Sequence, residues 1–324
     1  MRFRGELERH LRSVELRGPC GIAAVATATI GFALLIAGSA YGQDSGDNSG
    51  RAINLGGRGW SAAEIKRAPD RGPSQLEFEF RGGFATDYIY RGTTLSDHKP
   101  AVGAAIEAAF SQLYAGVAVA SVKLPTQPAA EIAMSGGIRQ EFAKINFDLG
   151  VTYFLYPGEA TGGGTNGIDY WEAAFRADKR IAESVRVAGG FAYSPNVSNT
   201  GAWGWYAASG VGIDLPNNLL PSGTGVLLTA AAGYSWFGNQ SVELGGFPLP
   251  AYVNWQAGIT FTRKVFSIDL RYYDTNLSKE NCFVFTGDPG ARPGGRIDPL
   301  TNPEGLVSRW CSATFVAKLW FALN

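Results

Sequence analysis

From Val253 the chain reads V-N-W-Q-A-G-I-T-F-T-R-K-V-F-S-I-D-L-R-Y-Y-D, and no other stretch constrains the fold as tightly. Val253, Trp255, Ala257, Ile259 and Phe261 alternate with Asn254, Gln256, Gly258, Thr260 and Thr262. After a turn at Arg263-Lys264, Phe266, Ile268, Leu270 and Tyr272 alternate with Ser267, Asp269 and Arg271. Successive side chains of a strand point to opposite faces, so this is a hairpin with one apolar and one polar face. The same alternation recurs along most of the chain. It predicts twelve strands, at about 76–91, 101–110, 113–122, 130–142, 145–156, 169–179, 185–194, 203–214, 225–236, the two of the hairpin, and 309–321. An even set of such strands, apolar outside and polar inside, is the all-β pattern of a transmembrane antiparallel up-and-down β-barrel.

The connections give an independent reading. Short links at Ser111-Gln112, Ala143-Lys144, 180–184 and Arg263-Lys264, with a longer one at 215–224, alternate with a second set at 92–100, 157–168, 195–202, 237–251 and 276–308. The second set is mostly longer and richer in Gly, Pro and Asn. Short turns at one end and long loops at the other match the periplasmic and extracellular ends of such barrels.

Ahead of the strands, Arg2, Arg4, Arg9, Arg12 and Arg17 precede an apolar run from Gly21 to about Gly38, and Ala40-Tyr41-Gly42 supplies small residues for cleavage before Gln43. Residues 1–42 are therefore expected to be a signal peptide, with a membrane-anchoring helix as the alternative. Residues 43–75 read as a flexible periplasmic segment, with a capping box at Ser61–Glu64 opening a short helix that ends before Pro69 and Pro73. A plug is the other reading of that segment. The barrel then occupies 76–324. The expected address is the bacterial outer membrane.

Taking the leader's five Arg and three Glu from 28 basic and 28 acidic residues leaves a nearly neutral chain, with no basic excess to engage nucleic acid. Of the three cysteines, Cys20 falls in the leader. Cys282 and Cys311 are expected to form a disulfide in an oxidising compartment, with two free thiols as the alternative. No further Cys or nearby His completes a metal site around them.

A family resemblance sits at the end of the first strand. Thr86-Asp87-Tyr88-Ile89-Tyr90-Arg91-Gly92, followed by Asp97 and Lys99-Pro100-Ala101 and then by Tyr114-Ala115-Gly116-Val117, resembles the TorF-family putative porins of the proteobacterial outer membrane. The match covers about Phe84–Val122 and implies a barrel channel. The last strand, with Ala313, Phe315, Ala317, Leu319 and Phe321 on one face, looks like the C-terminal signal read by the barrel-assembly machinery. Here Ala322-Leu323-Asn324 follow the terminal aromatic residue.

Catalysis finds little footing. His98 lies beside Ser96 and Asp97, but three loop neighbours cannot easily converge as a nucleophile, base and orienter must. Gly162-Gly163-Gly164 lacks the Lys-Ser/Thr of a phosphate loop. Asp288, Asp298 and Glu304 are too widely spaced for a calcium loop. No cofactor and no metal is expected. The polar face is richer: Arg81, Glu107, Glu131, Arg139, Asp148, Glu172, Arg176, Arg186, Asp269, Arg271 and Lys318 all fall on predicted lumen positions. Charges on the lipid side are costly, so these face a wet interior. Small residues at Gly103, Ala105, Gly150, Gly190, Gly210 and Gly258 are expected to leave room for water. The reading is a passive channel for ions and small hydrophilic solutes, embedded in outer-membrane lipid. The alternative is a closed barrel with a structural or surface-binding role for its long loops.

Overall fold

A computed structural model describes residues 53–58, 76–160, 167–216 and 220–323. The chain divides into units of residues 1–44 and 45–324, and all the described residues belong to the second. The expected signal peptide, the capping box at Ser61–Glu64 and the triple glycine at 162–164 lie outside the described residues.

Twelve antiparallel strands close into a barrel. They are β1 (Leu76–Ala85), β2 (Ala101–Phe110), β3 (Leu113–Ala120), β4 (Glu131–Phe142), β5 (Ile145–Leu155), β6 (Tyr170–Ala182), β7 (Val185–Ser194), β8 (Gly204–Leu215), β9 (Thr224–Phe237), β10 (Tyr252–Arg263), β11 (Phe266–Thr275) and β12 (Thr314–Leu323). Each strand pairs with its sequence neighbours, and β1 pairs with β12 from Phe80↔Leu323 to Ala85↔Lys318. No barrel strand is left with an open edge, so every ladder hydrogen bond has a partner.

The dyad pattern decides which face goes where. Val102, Ile106, Leu149, Val151, Ile268, Leu270 and Leu319 stand exposed on the outside, between about two-fifths and three-fifths accessible. Their sequence neighbours Ala101, Ala105, Glu107, Asp148, Ser267 and Asp269 are buried inside. Around the long-loop end runs an outward belt of aromatic rings. Trp205 lies 4.5 Å from Tyr193 and 6.4 Å from Trp236, and Tyr234 lies 5.6 Å from Trp236.

The short turns use left-handed backbone: Ser111 has φ 55°, Ala143 and Lys144 have φ 51° and 60°, and Lys264 has φ 53°. Consecutive positive φ values, as at Ala143-Lys144, match the right-handed twist of the flanking strands and allow a two-residue hairpin.

Most strand ends fall within one residue of the sequence expectation, the sixth strand runs on to Ala182, and three differences bear on the site. The first strand stops at Ala85 instead of Arg91, the third stops at Ala120, and the last runs Thr314–Leu323 instead of starting at Arg309. In the first case alternation is broken by Thr86-Asp87, which bend the chain inward. In the last, Cys311 precedes the strand instead of opening it. It is bonded to Cys282, which lies in the helix α1 (Lys279–Thr286) of the final long loop. Ser278 caps that helix by accepting a hydrogen bond from the Asn281 amide.

The two cysteines are 29 positions apart. In the chain-entropy picture a loop of that size is restrained by about 3–4 kcal/mol. Non-reducing peptide mapping should recover them as one linked pair, and replacing both with Ala should lower stability by about that amount. Two freely alkylated thiols in the folded protein would contradict the assignment.

Candidate functional site

The interior at the long-loop end is built by the stretch that follows β1. Asp87 is buried and its carboxylate accepts from Thr94 Oγ1 at 2.5 Å and Ser96 Oγ at 3.0 Å, which turns the chain back on itself. Arg91 and Gly92, with φ 48° and 82°, then form the tip of a small hairpin pairing Ile89↔Thr94 and Tyr90↔Thr93. That tip packs against the inner face of β10 and β11, since a Cβ on Gly92 would collide with Thr275 Cγ2 and lie 3.1 Å from Asn254 Cβ. Only glycine fits there. Alternation continued through the expected first strand to Arg91 puts Tyr88 and Tyr90 on the apolar face with Phe78, Phe80 and Phe84; instead both turn into the lumen. Tyr88 donates to Glu131 at 2.8 Å and Tyr90 to Glu172 at 3.2 Å.

Residues 53–58 belong to the segment for which a flexible periplasmic tether and a plug are the two readings. They lie inside the barrel. The Leu55 carbonyl accepts from Tyr206 Oη at 2.9 Å, the Asn54 carbonyl from Gln256 Nε2 at 2.7 Å, and the Gly56 carbonyl from the Arg91 amide at 3.2 Å. Ile53, Leu55 and Arg58 are all buried. The small residues expected to leave room for water are what admits this segment. A Cβ on Gly210 would sit 2.8 Å from Ile53 Cγ2, and one on Gly190 would sit 3.2 Å from Leu55 Cδ1. Gly150 makes room instead for the Tyr114 hydroxyl, at 2.4 Å from where its Cβ would be, and at Gly258 the Arg271 stem takes the space. Ala105 is buried against the inner wall, and Gly103 pairs with Gly83 and Ala120.

The charged positions fall into clusters. Arg139 donates to Glu107 at 2.6 and 3.1 Å and to Asp148 at 3.0 Å, and lies 3.7 Å above the Tyr114 ring. Tyr114 in turn donates to Asp148 at 2.9 Å. Asp269 accepts from Arg271 at 2.8 and 2.9 Å and from Thr260 at 2.7 Å, while Arg271 also reaches Thr229 at 2.8 Å. Glu172 takes two contacts from Arg91 Nη2, at 2.7 and 2.8 Å. Glu131 pairs with Arg58. Toward the short-turn end Arg186 bonds Asp214 at 2.9 and 3.0 Å, and Arg81 pairs with Glu79. Lys318 lies 4.7 Å from the Trp320 ring, opposite Asp269 in register. Arg176 borders an internal cavity of about 40 Å³, shared with Arg58, Arg91, Tyr114, Asp148 and Glu172.

Alternation puts Arg91 on the polar face with Asp87, where it meets Glu172, but reading the residues by type and alternation misses Arg58, Tyr88, Tyr90, Tyr156, Tyr170 and Tyr206 as lumen groups. Two signals bear on Arg58, Tyr88 and Tyr90. The polar pair Thr86-Asp87 interrupts the first strand's alternation, and Gly56-Gly57 beside Arg58 permits close approach to a wall.

At the rim, His98 Nδ1 contacts Asp87 Oδ2 at 2.7 Å and Nε2 contacts the Arg309 carbonyl at 2.9 Å. Both ring nitrogens face acceptors, which suits the imidazolium and leaves no nitrogen to take a proton from Ser96. The Ser96 hydroxyl is itself engaged with Asp87 and with the Lys99 carbonyl at 2.7 Å. Asp97, flanked by Lys99 and Lys123 and bonded by Trp310 Nε1 at 3.0 Å, is held down at about 2 against burial that opposes it. Asp288 accepts from Ser308 and Gly290, and Asp298 from the Leu300 and Thr301 amides, so both brace turns. Among the described residues no three His, Cys, Asp or Glu side chains gather as a metal site would require.

The family model described as a bacterial protein of unknown function (Gcw_chp) matches residues 70–292, which take in eleven of the twelve barrel strands and part of the final loop. The chain belongs to the Gcw_chp family. No curated protein matches it. Among solved structures, the NanC porin in a rhombohedral crystal form aligns over 76% of this chain and 100% of its own, at 6% identity and a TM-score of 0.42. The KdgM porin in complex with disordered oligogalacturonate aligns over 77% and 100%, at 6% and 0.39. An outer membrane channel from Pseudomonas putida F1 aligns over 80% and 99%, at 11% and 0.35. Likeness at this level carries no argument about what a Gcw_chp protein binds or passes.

In this Gcw_chp chain the hydrogen bond to Asp87, seconded by the Arg309 carbonyl, raises the His98 pKa above its usual 6.5 although burial opposes it. Asp97 adds attraction on the same side. A folded-state pKa raised above the unfolded one gives stability that is complete below about 6.5 and lost as pH rises through the raised value. The thermal midpoint in detergent should therefore fall between pH 6 and pH 9, and His98→Gln should flatten that dependence. A slope that survives the substitution would place the titrating group elsewhere.

Proposed function

We propose that this Gcw_chp protein is an outer-membrane barrel that admits ions and small hydrophilic solutes, with its long loops outside the cell and its short turns in the periplasm. The exterior supports the membrane placement. A continuous apolar band with aromatic rings near one rim is what lipid covers and water does not. The resemblance of Thr86–Ala101 to the TorF-family putative porins lies inside the residues matched by the family model and favours the same reading. Insertion through the barrel-assembly machinery and a cleaved signal peptide belong to this proposal.

One observation carries the channel reading. Buried ion pairs among Glu107, Arg139, Asp148, Asp269 and Arg271 line the lumen wall, and beside the apolar cluster of Ile89, Phe154 and Trp310 a cavity of about 40 Å³ bordered by Arg176 stays open. A purely structural barrel of this size gains nothing from buried charges, since well-packed apolar residues serve at least as well. The bridging of the lumen favours a second reading, a closed barrel that presents its long loops to a surface partner.

Planar-bilayer recording separates the two. Discrete conductance steps are expected, and Arg176→Ala should change their size and ion preference, because Arg176 borders the internal cavity. Folded protein that never conducts would support the closed-barrel reading. The membrane placement has its own test: Val151→Arg on the outer face should cost up to about 2–4 kcal/mol of barrel stability in lipid, while Val151→Leu should be neutral. Equal tolerance of both would mean that lipid does not cover this face.

A further inference from the structure

Arg58 occupies a built cage. Glu131, only 2% exposed, lies at its base and accepts from Tyr88 at 2.8 Å and Tyr156 at 2.9 Å while pairing with the Arg58 guanidinium. Arg58 Nη1 donates to Tyr156 Oη and Nη2 to Tyr170 Oη, both at 2.7 Å. Two rings enclose it: the guanidinium carbon is 4.3 Å from the Tyr90 centroid and 4.0 Å from that of Phe154. Every part of the cage belongs to the barrel or to two of its long loops, those after β1 and β5. Only the guest comes from the N-terminal segment.

The chemistry of the cage selects its guest. A buried carboxylate needs a cation, because an uncompensated charge in a low-dielectric site is costly. Facing aromatic rings about 4 Å away on the planar carbon favour a flat, weakly hydrated cation over a compact ammonium. Two tyrosine hydroxyls placed to accept from separate Nη atoms add a geometry that a guanidinium fork meets and a lysine head does not. The rest of the segment is held by the backbone carbonyls of Asn54, Leu55 and Gly56 and by apolar packing of Ile53 and Leu55, contacts that select no charged group.

We propose that this cage is a binding site for guanidinium-bearing solutes, and that Arg58 is a tethered occupant which such a solute displaces. The proposal rests on the channel reading for its physiological sense, since the solute would be a permeant or a signal to open. Its test does not depend on current.

Wild-type protein, Arg58→Ala and Arg58→Ala/Glu131→Gln are folded in detergent, and argininamide and lysinamide, probes of equal charge, are titrated by calorimetry. Arg58→Ala should bind argininamide at least tenfold more tightly than lysinamide and at least tenfold more tightly than wild type does. The double variant should lose that preference. Arg58→Gln, which also removes the charged guest, should behave as Arg58→Ala does and guards against a folding fault in one variant. Folded Arg58→Ala that binds both probes equally, or whose preference survives Glu131→Gln, would overturn the site. Conduction without guanidinium preference overturns the cage and leaves the channel standing; preference without conduction does the reverse.

Discussion

Closure of the sheet is the constraint on which everything else depends. A strand edge exposes N–H and C=O groups that lipid cannot satisfy, so a chain destined for a bilayer must bring its first strand to its last. The pairing of Arg81 with Ala322 and of Phe84 with Leu319 does this. Once the ring is closed, the two-residue period of each strand leaves no choice: one face of every strand looks outward and the other inward. Val151 and Ile268 therefore meet the surroundings, while Asp148 and Asp269 are buried on the inner face.

Closure creates a second demand. Glu107, Asp148, Glu131, Glu172 and Asp269 are all buried, and buried carboxylates require donors. The wall supplies Arg139 and Arg271 for three of them. For Glu131 and Glu172 the partners come from outside the wall, from Arg58 in the N-terminal segment and Arg91 at the hairpin tip. The long-loop end of the lumen is thus completed by two pieces of chain that are not part of the barrel ladder, and the charges there hold them in place.

What could be read from the residues follows this division. Strand number, the sorting of turns and loops, the facing of Val151 or Ile268, and the Cys282–Cys311 bond come from local periodicity and covalent logic. The inward position of Asp148 and Arg271 follows equally from alternation. Tyr88 and Tyr90 were misassigned because their spacing continues the period of Phe78, Phe80 and Phe84, while Thr86-Asp87 had already ended the strand. Residues 53–58 carry no period at all. Their place inside depends on Gly190, Gly210 and Tyr206, about 130–160 positions later, and no local pattern encodes such a meeting.

Residues 53–58 precede the first strand, yet they end inside a ring that exists only when the last strand arrives. The groups gripping Arg58 all lie between Tyr88 and Tyr170, in the half of the chain that pairs through short-range hairpins. Nearest-neighbour strand pairing requires little loop entropy and is kinetically favoured over the β1–β12 seam, which joins the ends of the sheet. Guest and cage can therefore meet on an open, curved sheet before the seam zips. The segment need not be threaded through a finished pore, because the barrel can close around its own occupant.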